Sequence, residues 1–365
     1  MLTLALLAGC LLQAQGVQER STEVVFVGTQ HFITDMPAGY GPGHLRALLD
    51  RIHPDVLAVE APAAAKNPWD FAPYELQRVT KPWAEQHKIA LVPVGWNDVF
   101  YQARIQTMIG ALAKAGRGED FQKLEARFQQ ELAGSVGCEA MNGEKGLDLW
   151  RQYHRALHDL LGKDTPWELW NAKILENLKT VLKEHRGKRI AIAFGAAHGY
   201  ILLDGLAKEE GVKVLPCSSF FPLAPEEVDR NTSARDHLQA LRPLNFGMVA
   251  PEQIDSLAGH LEQAREYSGD YDLFSGKLLL HRGRPEEAAA QFRKAAALGD
   301  ERLSEFDGST RLNEAGAIYE AIALARLAKV SDARDRIEAL LRKETLSAPM
   351  RQWAAQVLQE VAPKK

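Results

Sequence analysis

The first half of the chain alternates short apolar runs with longer stretches of helical period. Apolar runs that end in or near glycine, proline or an acidic residue occupy residues 24–28, 56–59, 89–94, 189–194 and 212–215. Runs of this kind are typical of strands buried on both faces, and their alternation with helices is typical of a parallel sheet. The pattern therefore predicts an α/β fold with a mostly parallel sheet flanked by helices.

A long segment of helical period, residues 98–185, separates the third and fourth predicted strands. Its last helix has a clear start signal in Thr165-Pro166-Trp167-Glu168. This tetrapeptide combines an N-cap residue, a proline in the first turn and a glutamate at the capping-box position. We therefore expect a long helical insertion whose final helix begins beside Thr165.

After Pro222 the strand pattern ends and almost every segment has helical period. Small residues and one aromatic residue occur at the spacing of a tetratricopeptide-type helix hairpin, namely Gly276, Ala288, Phe292 and Ala295. A weaker copy spans residues 318–341, with Ala333 and Ile337 in comparable places. The prediction is an α/β domain at residues 20–224, a connecting segment at 225–250 and a helical, tetratricopeptide-like domain at 251–365.

Residues 1–12 are almost wholly apolar and are followed by a polar stretch. Such a segment is too short to span a bilayer and matches the apolar core of an export signal, although no Lys or Arg precedes it. Leu7-Ala8-Gly9-Cys10 resembles a bacterial lipobox, whose cysteine would be lipidated, and Ala14-Gln15-Gly16 is an alternative cleavage site. We expect a leader at residues 1–19 and export to the periplasm or cell envelope, with lipidation of Cys10 and simple secretion both open.

Composition narrows the function classes. Hydrophobic residues make up 46% and charged residues 25%, which is globular composition. The 44 basic residues are outnumbered by 48 acidic ones, so nucleic-acid binding has little support. Beyond Cys10, Cys138 and Cys217 either form one disulfide or are two separate buried thiols, and no closely spaced cysteine pair indicates a zinc ribbon.

Polar side chains follow four of the predicted strands. They lie in Gly28-Thr29-Gln30-His31, at Glu60, in Gly95-Trp96-Asn97-Asp98 and in Gly195-Ala196-Ala197-His198-Gly199. Because the carboxyl ends of parallel strands meet at one edge, His31, Glu60, Asp98 and His198 are candidates for one site. Each alone has a structural alternative, and for Asp98 we favour a helix N-cap over a catalytic role. Asp98, Asn171 and Arg104 are the candidates for substrate binding.

Two imidazoles and a carboxylate suit a divalent transition metal such as Mn, Fe, Co or Zn. Three protein ligands with an open position activate a bound water for hydrolysis, and the same trio can also act as metal-free acid and base. Lesser candidates are Asp35, His44, Asn171, Lys173 and Arg104, the last either an anion contact or a solvated surface residue. No Gly-x-Ser-x-Gly elbow, Walker loop or Gly-rich dinucleotide fingerprint occurs.

The motifs Val-Gly-Thr-Gln-His-Phe, Val-Leu-Ala-Val-Glu and Phe-Gly-Ala-Ala-His-Gly-Tyr resemble those of the TraB/GumN/Tiki superfamily, and look closest to an uncharacterised bacterial branch of it. The resemblance covers residues 23–222. It implies that His31, Glu60 and His198 frame an active site and that Asn171 belongs to the family's Arg-Asn-x-x-Met helix. Trp170 stands where that helix has its arginine, and Arg104 is in loose register with another family arginine.

The resemblance implies a metal-dependent hydrolase of peptide or ester bonds, with a peptide or small molecule as substrate. One alternative is a haem- or small-ligand-binding lipoprotein on the same fold, with a histidine or Tyr200 as axial ligand. The other is an inactive adaptor that binds a protein partner through residues 251–365. In each case we expect membrane contact only through an N-terminal lipid anchor.

Overall fold

The computed structural model describes residues 20–29, 39–71, 73, 75–96, 100–133, 137–162, 165–246, 249–299 and 302–361. The predictions made for Cys10, His31, Asp35 and Asp98 therefore lie outside the described residues. The described chain divides into two compact units, one of residues 20–29 and 44–225 and one of residues 39–43 and 226–361. Of the helices within these ranges, none has the length and apolar character needed to cross a membrane.

The first unit is built on a parallel sheet. Its strands are β1 (Thr22–Thr29), β2 (Val56–Pro62), β3 (Ala90–Gly95), β4 (Arg189–Gly195) and β5 (Val212–Leu215). Their spatial order is β3-β2-β4-β1-β5, and every pairing is parallel. The predicted α/β fold with a parallel sheet is thus confirmed, and each predicted strand is present.

The register brings the carboxyl ends of the central strands together. Thr29 of β1 pairs with Gly195 of β4, and Val59 of β2 pairs with Ala193 of β4. Between β2 and β3 the register shifts after Val59. A Cβ at Gly95 would lie only 2.9 Å from the carbonyl oxygen of Ala61, so only glycine allows this close approach. Side chains that follow these strands therefore emerge at a common edge.

Helices cover the sheet. In chain order they are α1 (Pro42–Ile52), α2 (Lys81–His87), α3 (Tyr101–Lys114), α4 (Gly118–Ala133), α5 (Cys138–Asn142), α6 (Glu144–Leu161), α7 (Pro166–Glu184) and α8 (Gly199–Leu206). The predicted start of α7 is confirmed, because the Thr165 side chain accepts from the Glu168 N–H and the Glu168 carboxylate accepts from the Thr165 N–H. Apolar side chains of α7 and α8 pack on alternate residues of β1 and β4, such as Phe26 and Phe194.

The second unit is helical, as predicted for the C-terminal region. Its helices are α9 (Pro225–Arg230, opened by the last residue of the first unit), α10 (Ala234–Ala240), α11 (Pro243–Phe246), α12 (Ile254–Gln263), α13 (Ser268–His281), α14 (Pro285–Ala296), α15 (Leu312–Arg326), α16 (Val330–Leu341) and α17 (Ala348–Val361). The α13–α14 hairpin explains why small residues occur at this spacing, because the two helices pack closely there. A Cβ at Gly276 would lie 2.4 Å from the buried ring of Phe292. In α16, Ala333 and Ile337 are fully buried, as in a second hairpin.

Candidate active site

The site is built where β4 ends. After Gly195 the chain makes a single 3-10 turn, Ala196–His198, and then enters α8 at Gly199. A Cβ at Gly199 would lie 2.7 Å from both the Phe26 ring and the Leu147 side chain. Because glycine has no side chain, the turn packs directly on the sheet. This packing places the imidazole of His198 against the helices above it.

His198 is held by a buried amide. Its side chain is 5% exposed, and its Nδ1 lies 2.7 Å from Oδ1 of Asn171 on α7. The Nδ2 group of Asn171 donates to the Trp167 carbonyl oxygen at 2.8 Å, so the amide oxygen is the atom that faces His198. His198 therefore donates from Nδ1–H, and in the neutral imidazole the lone pair is on Nε2. Two of the predicted site residues are thus brought together.

Glu60 reaches the same motif from β2. Its Oε2 accepts a hydrogen bond from the backbone N–H of Gly195 at 2.7 Å, and the side chain is half-buried. Gly195 begins the four-residue motif that ends at His198. The carboxylate predicted from the second strand end therefore lies at the edge from which His198 emerges.

Aromatic rings enclose His198 in a stack that the sequence did not predict. Trp167 of α7 stacks on His198 with a centroid separation of 4.2 Å, and His154 of α6 stacks on Trp167 at 4.5 Å. Tyr200 lies against His154 at 5.5 Å. Burial lowers the pKa of His154 to about 4, and its Nδ1 bonds the Trp150 carbonyl oxygen at 3.0 Å. The only sequence signal for His154 was its place in an aromatic-rich amphipathic helix.

Two further polar residues hold the end of β1, just before His31. Asn142 of α5 accepts from the Gly28 N–H at 2.6 Å, and its Nδ2 lies 3.3 Å from the Gly28 carbonyl oxygen. Thr29 Oγ1 donates to Oε1 of Glu75 at 3.0 Å, and Glu75 is 2% exposed. Sequence reasoning missed both residues, since a single Asn or Glu within a helical stretch has no motif to mark it.

The remaining candidates have other surroundings. Arg104 is exposed on α3, and Lys173 forms a surface ion pair with Glu176 on α7 at 2.8 Å. His44 is half-buried on α1. Cys138 and Cys217 are buried thiols that form no disulfide, which is the second of the two alternatives for them. Burial raises the pKa of the Cys217 thiol to about 12, so that thiol is unreactive near neutral pH.

The donor types at this edge fit a divalent transition metal, since imidazole nitrogen and carboxylate oxygen are its usual ligands. His198 and Glu60 would supply two donors. Within the described ranges, no group of three or more His, Cys, Asp or Glu side chains is placed to hold a metal ion. A three-ligand centre would therefore need a ligand from outside those ranges, and His31, two residues beyond Thr29 along the chain, is the one that the sequence predicts.

Comparison of the chain with known proteins finds no matching family model, no matching curated protein and no matching solved structure.

Proposed function

We propose that the protein is an exported, metal-dependent hydrolase of the TraB/GumN/Tiki type, acting on a peptide or ester bond. His31, Glu60 and His198 would hold a divalent ion such as Mn, Co, Fe or Zn. The observation that carries the proposal is the Asn171–His198 hydrogen bond, at 2.7 Å between Oδ1 and Nδ1. It fixes the tautomer with the proton on Nδ1 and the lone pair on Nε2, which is the form of a metal-ligating imidazole.

A purely structural role for this pair is the main alternative. Asn171 is 2% exposed and His198 is 5% exposed, so both polar groups have been removed from water. Burying polar groups costs free energy even when they are hydrogen-bonded to each other, and apolar residues of similar volume would pack there at lower cost. A buried histidine oriented through Nδ1 is, by contrast, the usual arrangement of a metal-ligating imidazole.

Each residue has a distinct part in the proposed chemistry. A bound divalent ion would lower the pKa of water and polarise a carbonyl group. Asn171 orients the His198 ring, and Trp167 packs on one face of that ring, which keeps bulk water from it. Glu60, through Gly195, ties the end of β2 to the turn that bears His198. The haem alternative has less support, because Tyr200 already packs against His154 and its ring lies 5.8 Å from the Arg151 guanidinium carbon.

The test begins with elemental analysis of the leaderless chain purified without chelators. We expect about one equivalent of Mn, Fe, Co or Zn in the parent protein and none of these four metals in a His31→Ala/His198→Ala double variant. His53→Asn is the matched control. His53 is exposed and has a positive φ of 48°, which asparagine tolerates, so its loss removes an imidazole without disturbing the fold.

The metal-loaded chain is then assayed against panels of peptides and activated esters. We expect hydrolysis in the parent and in His53→Asn, loss on chelation, and recovery on adding Mn, Co or Zn. Hydrolysis that survives the double variant would contradict the proposal, as would absence of metal after soaking. A parent that binds metal but hydrolyses neither panel would favour a ligand-binding role, and a partner held by the helical unit alone would favour an adaptor.

A further inference from the structure

A pair of imidazoles lies in the helical unit, which does not contain the strand-end motifs. His237 on α10 and His260 on α12 have their Nδ1 atoms 2.8 Å apart, with ring centroids at 5.1 Å. The two helices are joined by an apolar contact that includes Leu238, Leu257 and Leu261. The backbone positions of both imidazoles are therefore set by buried leucines, while the rings themselves are only partly buried.

Burial disfavours positive charge on both imidazoles. Burial lowers the pKa of His237, and burial together with the charge of His237 lowers the pKa of His260. Asp236 and Asp229 act in the opposite direction on the pKa of His237, which means that they favour positive charge at this place. Two imidazole nitrogens near these carboxylates are suited to a cation that carries its own charge.

The spacing of the two nitrogens limits the classes of cation that both can bind at once. Ligands at about 2.0–2.1 Å that are cis in a square-planar or octahedral complex lie about 2.9 Å apart, whereas tetrahedral ligands lie about 3.4 Å apart. The observed separation of 2.8 Å is that of a hydrogen bond between the two Nδ1 atoms, and it leaves both nitrogens close enough to become the cis ligands of one square-planar or octahedral ion once the rings turn. Cu²⁺ and Ni²⁺ prefer this geometry, and they head the usual affinity order for imidazole sites.

We infer that His237 and His260 form a two-imidazole site for Cu²⁺ or Ni²⁺, bound through both Nδ1 atoms with water completing the coordination. In the metal-free pair one Nδ1 donates its hydrogen to the other. On binding, that proton moves to Nε2 of the same ring, so both lone pairs are available and no proton is released. The rings turn until their lone pairs converge. The ion then links α10 to α12.

Copper titration followed by electron paramagnetic resonance tests this inference. The probe is CuCl₂ added to the leaderless chain, both unmodified and in the His31→Ala/His198→Ala background, so the result does not depend on the proposed active site. We expect a Cu²⁺ signal with superhyperfine lines from two nitrogens. In the double-variant background, His237→Asn or His260→Asn should reduce the pattern to that of one nitrogen and weaken binding by about a hundredfold, because one imidazole lacks the chelate advantage.

His281→Asn is the matched control, since His281 lies in the same unit and its ring contacts no other imidazole among the described residues. It should leave the spectrum and the affinity unchanged. Circular dichroism identifies any variant that fails to fold, and His237→Gln and His260→Gln replace such a variant. Equal affinity and an unchanged two-nitrogen spectrum in the His237 and His260 variants would overturn the inference, as would the absence of bound Cu²⁺ in the double-variant background.

Discussion

The buried Asn171–His198 pair determines what the candidate site can do, because one hydrogen bond decides which imidazole nitrogen carries a proton. Asn171 has its Nδ2 engaged by the Trp167 carbonyl oxygen, so its oxygen faces Nδ1 of His198. A leucine at position 171 would occupy a similar volume but could not accept this hydrogen bond. A substitution that leaves the packing nearly intact can therefore test the role of the pair.

We expect Asn171→Leu to weaken metal binding about 10- to 100-fold, because the Nδ1–H of His198 loses the partner that orients the ring. Stability should fall by about 1–3 kcal/mol, since a buried donor is left unsatisfied. Metal competition assays and urea unfolding measure the two effects. Asn177→Leu is the control on the same helix, where the amide donates to the Val94 carbonyl oxygen at 3.0 Å. Equal metal affinity in both variants would assign Asn171 a purely structural role.

His154 supplies a pH-dependent contribution to stability. Burial lowers its pKa from 6.5 to about 4 in the folded chain, so between these values the unfolded chain binds more protons. Stability therefore decreases as pH falls from 6.5 towards 4, by up to about 3 kcal/mol from this residue.

In His154→Phe, which keeps an aromatic ring in the stack, this part of the pH dependence should disappear. Urea unfolding of the variant and the parent at several pH values between about 7 and 4.5 gives the comparison. Parallel pH profiles would show that His154 titrates normally.

Helices in the second unit approach closely because small residues lie at their contacts. A Cβ at Gly276 of α13 would meet the Phe292 ring at 2.4 Å, and one at Gly316 of α15 would lie 2.5 Å from the Ala296 nitrogen. Phe292 is fully buried and its ring is rigid, so it cannot move aside at small cost. The glycines are therefore required by packing between helices.

Gly276→Ala should destabilise the second unit by about 1–3 kcal/mol through overpacking, despite the higher helix propensity of alanine. Gly259→Ala in α12 is the matched control, because a Cβ there meets nothing within 4 Å. That substitution should stabilise by about 0.5–1 kcal/mol. Urea midpoints that shift in the same direction for both variants would contradict the packing argument.

Across the whole molecule, bases with lowered pKa values are buried in both units. His154 is an example in the first unit and Lys277 in the second, where burial lowers the pKa of Lys277 to about 7. Lys277 is 5% exposed, with Nζ 4.6 Å from the Phe274 ring and 4.5 Å from the Tyr319 ring. Because the unfolded chain would bind a proton at Lys277 up to its ordinary pKa, stability should increase as pH rises above 7.

We expect Lys277→Met to stabilise the second unit at about pH 7, because the cost of burying the amine exceeds the loss of its hydrogen bond to Oδ1 of Asn245. The substitution should also abolish the increase in stability between about pH 7 and 10. Urea unfolding followed by circular dichroism is the measurement. Lys294→Met removes an exposed lysine of α14 and should change neither quantity by more than about 0.5 kcal/mol. A parent protein whose stability is flat over this range would contradict the prediction.

Local sequence patterns were sufficient to predict the strands and helices. The strands β1 to β5, the capping box at Thr165 and the Gly276–Phe292 contact all follow from periodicity, capping and side-chain size. Each of these depends on neighbours within a few residues, or on a repeat whose spacing can be read along the chain. The parallel sheet followed from the alternation of strands and helices.

The surroundings of the candidate site required the tertiary structure. Glu60 and His198 were identified by their positions at strand ends, but the bond from Gly195 to Glu60 depends on the β2–β4 pairing. His154, Asn142 and Glu75 come from helices far along the chain and carry no motif. Strand ends are local features that the order of residues encodes directly. The hydrogen bonds and ring stacks that set the tautomer, burial and pKa of a side chain arise only when distant segments pack together.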